Sequence, residues 1–126
     1  MKGFLAALLL LFPSLALSQT AEEMASSCKA ISNAKVTGAG IEMPTDFDSG
    51  ACWGAFGMVQ IMTNMIYMDS LGKSRFFFDI CAPGDSTRTQ LIKVFEQYAA
   101  QHPERVSEDF WVVAQDSLRQ SFPCKK

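Results

Sequence analysis

The sequence predicts an all-α domain, a small bundle of four to five helices stapled by two disulfides. Three observations carry this. Four separate stretches place apolar residues at helical spacing and open on a capping residue. Four cysteines are present, an even number, all after the N-terminal apolar stretch. Two of them, Cys81 and Cys124, bracket what reads as a helical hairpin.

Residues 1–18 read as a signal peptide. Lys2 is a one-charge start, residues 3–17 are almost wholly apolar, and Ala16-Leu17-Ser18 is a small-x-small cleavage site. The apolar run is too short to span a bilayer as a helix. The expected mature domain is residues 19–126, or 108 residues, which is one domain with a small core. Without Lys2 it carries 10 of the 11 basic residues against 13 acidic ones, a net charge of −3. That balance argues against nucleic acid and against anionic membrane as partners of the mature form, since both need a basic patch.

Helix 1 is expected over residues 21–34. Thr20 and Glu23 make a capping box, and Met24, Cys28 and Ile31 form one apolar stripe. Gly38, Gly40 and Pro44 then leave no period, so residues 36–44 read as a surface loop. Helix 2 is expected from Asp46 to about Met68, with Thr45 as N-cap. It is apolar nearly all round, the pattern of a helix buried on more than one side or feeding a subunit interface. Gly50 and Gly54 share a face where another backbone could approach, and Gly57 continues it.

A polar turn follows, and then Arg75 with Phe76, Phe77 and Phe78. Three consecutive phenylalanines suit a short extended segment or a tucked loop, with at least one facing outward. Helix 3 starts after Pro83-Gly84 with Thr87 and Gln90 as a capping box. Its stripe is Leu91, Val94, Phe95, Tyr98 and Ala99, and it stops at His102 before Pro103. Helix 4 is expected from Ser107 as N-cap, with Phe110, Val113, Ala114 and Leu118 inward and Pro123 as its stop. The short connection makes helices 3 and 4 antiparallel neighbours.

That geometry brings Cys81 to Cys124 and leaves Cys28 to pair with Cys52. In an exported chain these read as structural disulfides. A metal site or a redox pair is the alternative, but no C-x-x-C occurs and His102 is the one histidine.

Catalytic constellations are thin, and a non-enzymatic protein without cofactor or metal is expected. His102 reads as a helix-end cap or turn-packing residue. Glu104, Glu108 and Asp109 suit the positive end of helix 4. Met58, Met62, Met65 and Met68 could offer thioethers to Cu(I), though core packing is the commoner use of methionine. The candidate partner-binding residues are Arg75, Phe76 and Phe77, together with Arg105 and Glu108 in the turn at 102–109.

The pattern C-x-P-x-x-x-T-x-x-Q-L, then V-x-x-x-Y, then H-P-E and a final F-P-C resembles the Rap/Tai family of immunity proteins. Here it falls on Cys81, Pro83, Thr87, Gln90, Leu91, Val94, Tyr98, His102, Pro103, Glu104, Phe122, Pro123 and Cys124. Cys52-Trp53-Gly54 is similar to the family's C-x-G motif, and Cys28 also fits. The family often places a second glycine six residues after that cysteine. Here Gly57 is five after and Met58 holds the sixth position. The resemblance implies an α-helical periplasmic protein, commonly a homodimer. It would bind and block a peptidoglycan amidase effector of type VI secretion, with loops between helices covering the effector's active site. A periplasmic chaperone or adaptor is the alternative, motivated by the Met-rich apolar helix, and a copper carrier is a third.

Overall fold

The computed structural model describes residues 19–125; the expected signal peptide lies outside the described residues. In chain order the elements are α1 (Ala21–Ser32), β1 (Val36–Thr37), β2 (Gly40–Ile41) and α2 (Phe47–Thr63). Then come β3 (Ile66–Met68), β4 (Ser74–Phe76), α3 (Arg88–Gln101), a 3-10 turn (Pro103–Arg105) and α4 (Phe110–Ser121). The domain is therefore mainly helical but not all-α. Two antiparallel hairpins, β1–β2 and β3–β4, stand where a loop and a helix end were expected.

Helices α1 and α3 begin as the sequence requires. Thr20 and Glu23 close one capping box, and Thr87 and Gln90 close the other. The α1 stripe Met24, Cys28 and Ile31 is buried, as are Leu91, Phe95 and Ala99 of α3 and Phe110, Val113, Ala114 and Leu118 of α4. Helix α1 ends at Ser32, two residues short of the expectation. The N-cap of α2 is Asp46, one residue after the expected Thr45. Its carboxylate accepts from the Ser49 amide at 2.9 Å and the Ser49 hydroxyl at 2.8 Å. The N-cap of α4 is Asp109 and not Ser107, because Pro103 starts a 3-10 turn that uses up the intervening residues.

The largest correction falls on α2, which stops at Thr63. Thr63 Oγ1 and Asn64 Nδ2 both donate to the Gln60 carbonyl, at 2.9 Å each, and close the helix end. Ile66, Tyr67 and Met68 then pair with Phe76, Arg75 and Ser74. The turn between these strands is built on Asp69. One carboxylate oxygen accepts from the amides of Leu71 and Lys73, both at 2.9 Å, and Gly72 takes the φ of 71° that the turn needs.

At the centre of the domain three phenylalanine rings meet: Phe56 of α2, Phe95 of α3 and Phe110 of α4. The ring centroids lie 5.5, 5.6 and 5.4 Å apart, tilted or edge-to-face. Two disulfides tie the elements together, Cys28–Cys52 within the core and Cys81–Cys124 partly exposed. Cys28–Cys52 ties α1 to α2, with 5.2 Å between Cα atoms, and Cys81–Cys124 ties the approach to α3 to the segment after α4, at 4.9 Å. A backbone bridge between Ile80 and Pro123 lies beside the second bond, with the Cys81 amide donating to Phe122 at 2.8 Å. The start of α1 docks on the α3–α4 turn. The amides of Ala21 and Glu22 donate to Glu108 and Val106, and Phe110 donates to Gln19, each at 2.9 Å. Amides left unpaired at a helix start are thereby satisfied by the chain itself.

Only one side of α2 is buried within the chain: Ser49, Cys52, Phe56, Val59 and Thr63. Its glycines do not form one strip against a neighbouring backbone. Gly57 makes room for Arg88 of α3, since a Cβ there would stand 3.2 Å from the guanidinium. That guanidinium lies 4.4 Å over the Trp53 ring and donates to the Trp53 carbonyl. Around Gly50 and Gly54 there is open space.

If the phenylalanine triad holds the helices together, Phe56→Ala should cost about 3–5 kcal/mol in urea denaturation at constant m-value. A cost under about 1 kcal/mol would show that the core does not centre there.

Candidate partner-binding surface

The exposed apolar side chains concentrate on the outer face of α2 and the β3–β4 hairpin that follows it. Phe47, Met58 and Ile61 face solvent on the helix. Met65, Ile66, Tyr67, Met68, Leu71 and Phe77 do so in and around the hairpin. Leu71, at the tip, is 77% exposed, and Phe77 is 57% exposed. Exposed apolar side chains concentrated on two consecutive elements mark a candidate interaction site.

The hairpin is supported from below. Tyr67 packs on Phe77, Phe77 on Phe78, and Phe78 edge-on to Trp111 of α4, with centroids 6.1, 5.0 and 5.8 Å apart. The Phe77 amide donates to Met65 at 2.8 Å, and Ile80 at the base is buried. Arg75 Nε donates to the second oxygen of Asp69 at 2.7 Å. Asp69 therefore receives two amides and one guanidinium, and with Arg75 as the main cause its carboxyl stays below the ordinary value. This local closure holds the tip in one shape, so little order has to be gained on binding.

Of the residues singled out from sequence, Arg75, Phe76 and Phe77 gather on this hairpin. Phe76 is half-buried and Phe77 exposed. Arg105 and Glu108 lie elsewhere, in the α3–α4 turn, and bind each other. Arg105 donates to both Glu108 oxygens at 3.0 and 2.8 Å, to the Tyr98 hydroxyl at 2.6 Å and to Asp116 at 2.9 Å. Asp116 in turn accepts from Arg119, which reaches the Phe78 carbonyl. His102 stacks on the Tyr98 ring at 4.2 Å, with Nδ1 3.1 Å from Glu104. The donors of Arg105 are thus engaged within the chain. The turn works as a knot between α3, α4 and the hairpin base.

Reasoning from sequence missed Ile66 and Tyr67, which it placed inside helix 2, whereas the stretch 71–79 reads from sequence as a place for specificity. A usable signal was there: Asp69-Ser70-Leu71-Gly72 is turn chemistry, and a leucine inside a polar turn has no core to enter. The methionines also differ from core expectation, since Met58, Met65 and Met68 are exposed and Met62 is half-buried. Met68 Sδ accepts from the Ser74 hydroxyl at 3.4 Å. Among the described residues no group of His, Cys, Asp or Glu is arranged to hold a metal ion.

The family model of the Rap1a immunity proteins matches residues 57–124. The chain belongs to that family. The matched span starts inside α2 and takes in the hairpin, α3, the 102–109 turn, α4 and the Cys81–Cys124 clamp, while α1 precedes it. No curated protein matches the chain, and no solved structure does. As a Rap1a immunity protein it is an immunity protein to a secreted effector, and an exposed apolar surface on a stapled support suits a protein whose task is to bind. Its two disulfides suit an oxidising compartment. Among the described residues no helix is long and apolar enough to cross a membrane.

The knot at 102–109 makes a prediction about acid. Arg105 holds the Glu108 carboxyl below its ordinary value of 4.5. The stability Glu108 contributes is complete above that value and is lost as pH falls from it toward the depressed folded-state value. The melting temperature of Glu108→Gln should therefore lie below wild type at pH 6–7, with the gap closing near pH 3. A gap that stays constant down to that pH would contradict the assignment.

Proposed function

We propose that this immunity protein binds and inhibits a peptidoglycan amidase effector of type VI secretion in the periplasm, protecting the cell that makes it. The hairpin at 65–77 is the surface that meets the effector. The carrying observation is that Leu71 stands exposed on a turn already closed by Asp69 and Arg75, with Phe77 exposed at the base of the same hairpin. Rigid, preordered apolar tips suit insertion into a concave site such as a hydrolase cleft. The resemblance drawn from the H-P-E and F-P-C motifs supports the amidase as the partner class. The apparent signal at residues 1–18 and the disulfide framework support export. The protein works by occlusion and brings no catalytic group of its own, and it acts as a homodimer through the outer face of α2.

The exposed methionines favour a second reading, a periplasmic chaperone or adaptor, because flexible thioether surfaces accommodate several clients. Stoichiometry separates the two. An immunity protein has one tight partner, whereas a chaperone captures many unfolded chains weakly.

Leu71→Asp places a charge at the tip without touching the core. In titration against an amidase effector of the proposed class it should weaken binding roughly 30-fold or more, the scale of a hot-spot residue, at unchanged melting temperature. Glu104→Lys in the 102–109 turn should leave the affinity within about threefold. The reverse pattern would move the effector site to the turn.

A further inference from the structure

The two disulfides differ in what can reach them. Cys28 and Cys52 are wholly buried in the core between α1 and α2. Cys81 and Cys124 are half-exposed and stand outside the buried core. A groove of about 320 Å³ opens beside this second pair. Pro83 and Phe122 line it, each two residues from one of the paired cysteines, together with Ser86, Gln90 and Lys93. The exposed Lys125 follows Cys124 directly.

Thiol–disulfide exchange is a displacement at sulfur. Its rate follows the access of a thiolate to the bond and the ease with which the leaving sulfur carries negative charge. The groove gives an attacking thiol room to approach. The neighbouring ammonium of Lys125 favours departure of Cys124 as thiolate. Neither condition holds at Cys28–Cys52, where an opening of the core has to come first.

The second bond is also placed where its opening acts on one part of the chain. It joins the base of the β3–β4 hairpin, through Ile80-Cys81, to the segment after α4. Few other links cross this junction. They are the Ile80–Pro123 bridge, the Cys81 amide donating to Phe122 at 2.8 Å, Arg119 Nε donating to the Phe78 carbonyl at 3.3 Å, and Phe78 against Trp111. The phenylalanine triad and the Cys28–Cys52 bond involve none of these residues.

We propose that Cys81–Cys124 is an exchangeable disulfide, a site of attack by an external dithiol, whose opening loosens the hairpin while the rest of the domain stays folded. A thiolate of the dithiol attacks one sulfur of the pair. The S–S bond breaks, a mixed disulfide forms, and the other cysteine leaves as thiolate. The second thiol of the reagent then closes the reagent's own disulfide and frees the remaining cysteine. The chain gains two electrons and two protons, and the dithiol loses them. Cys28–Cys52 is out of reach of the same reagent and keeps α1 on α2. The consequence for recognition rests on the function proposed above: with the clamp open, the hairpin is less ordered and meets the amidase more weakly. The exchange itself does not depend on that reading.

Treatment of the native, oxidised protein with dithiothreitol tests this, with samples quenched in iodoacetamide and mapped by mass spectrometry. A species alkylated only at Cys81 and Cys124 should accumulate first. It should form on the order of 100-fold or more faster than any species opened at Cys28–Cys52, because the buried bond waits for local unfolding. It should keep its helical circular dichroism, while amides of residues 65–82 exchange with deuterium roughly tenfold faster than in the oxidised chain. The double variant Cys81→Ser/Cys124→Ser should show the same exchange pattern without any reagent. Opening of both bonds together, or of Cys28–Cys52 first, overturns the proposal. So does a singly reduced chain or a double variant that is unfolded, or one whose hairpin exchanges as in the oxidised protein. All these readouts use the protein alone, so a failure to bind amidase would count against the functional reading and leave the exchangeable bond standing.

Discussion

The structure depends on three rings. Phe56, Phe95 and Phe110 come from three different helices and meet at one point, each buried and each within 5.6 Å of the other two. No pair of these helices is long enough to be stable alone in water, and a domain of this size has a small core. The triad therefore sets the orientation of α2, and that orientation decides what the rest of α2 can do. Once Cys52, Phe56 and Val59 face inward, Phe47, Met58 and Ile61 must face outward. An apolar helix with a single buried side leaves an apolar surface open to solvent.

The disulfides serve the same constraint, one from within the core and one from the edge. Cys28–Cys52 prevents α1 from leaving α2, and Cys81–Cys124 closes the far end of α3 and α4 beside the hairpin base. In the chain-entropy picture loops of this length each lower the unfolded-state entropy by about 3.5–4 kcal/mol. That is a large fraction of the stability of a small domain. It allows the chain to hold an exposed hairpin and a bare helix face without losing its fold. The hairpin adds its own closure through Asp69 and an aromatic ladder down to Trp111.

Much of this was legible in the residues. Capping boxes at Thr20 and Thr87 mark two helix starts because they satisfy backbone amides locally, and the α3 stripe points one way only. The end of α2 was not legible, for a physical reason. Met62, Met65 and Met68 continue a three-residue spacing, while Asn64 and the β-forming pair Ile66-Tyr67 argue the other way. The outcome turns on the cross-strand pairing to residues 74–76, which no local pattern contains. The same holds for the inward side of α2: a helix apolar all round does not say which face is buried until Phe95 and Phe110 are in place. At the candidate site, Phe77 could be picked out because three consecutive phenylalanines cannot all be buried. The engagement of Arg105 could not, since Asp116 is eleven residues away.

What emerges is a division of labour. The 102–109 turn carries the family's most recognisable motif, yet its charged groups bind one another and hold the helices and the first residues of α1. In the function proposed here, recognition falls to the less distinctive stretch between α2 and Cys81. Hydrogen–deuterium exchange of the oxidised protein, with and without the amidase proposed as its partner, tests this most directly. New protection is expected at residues 65–77 only, with the 102–109 turn unchanged because it lies outside the proposed contact. Protection appearing at 102–109, with the hairpin left as it was, would contradict it.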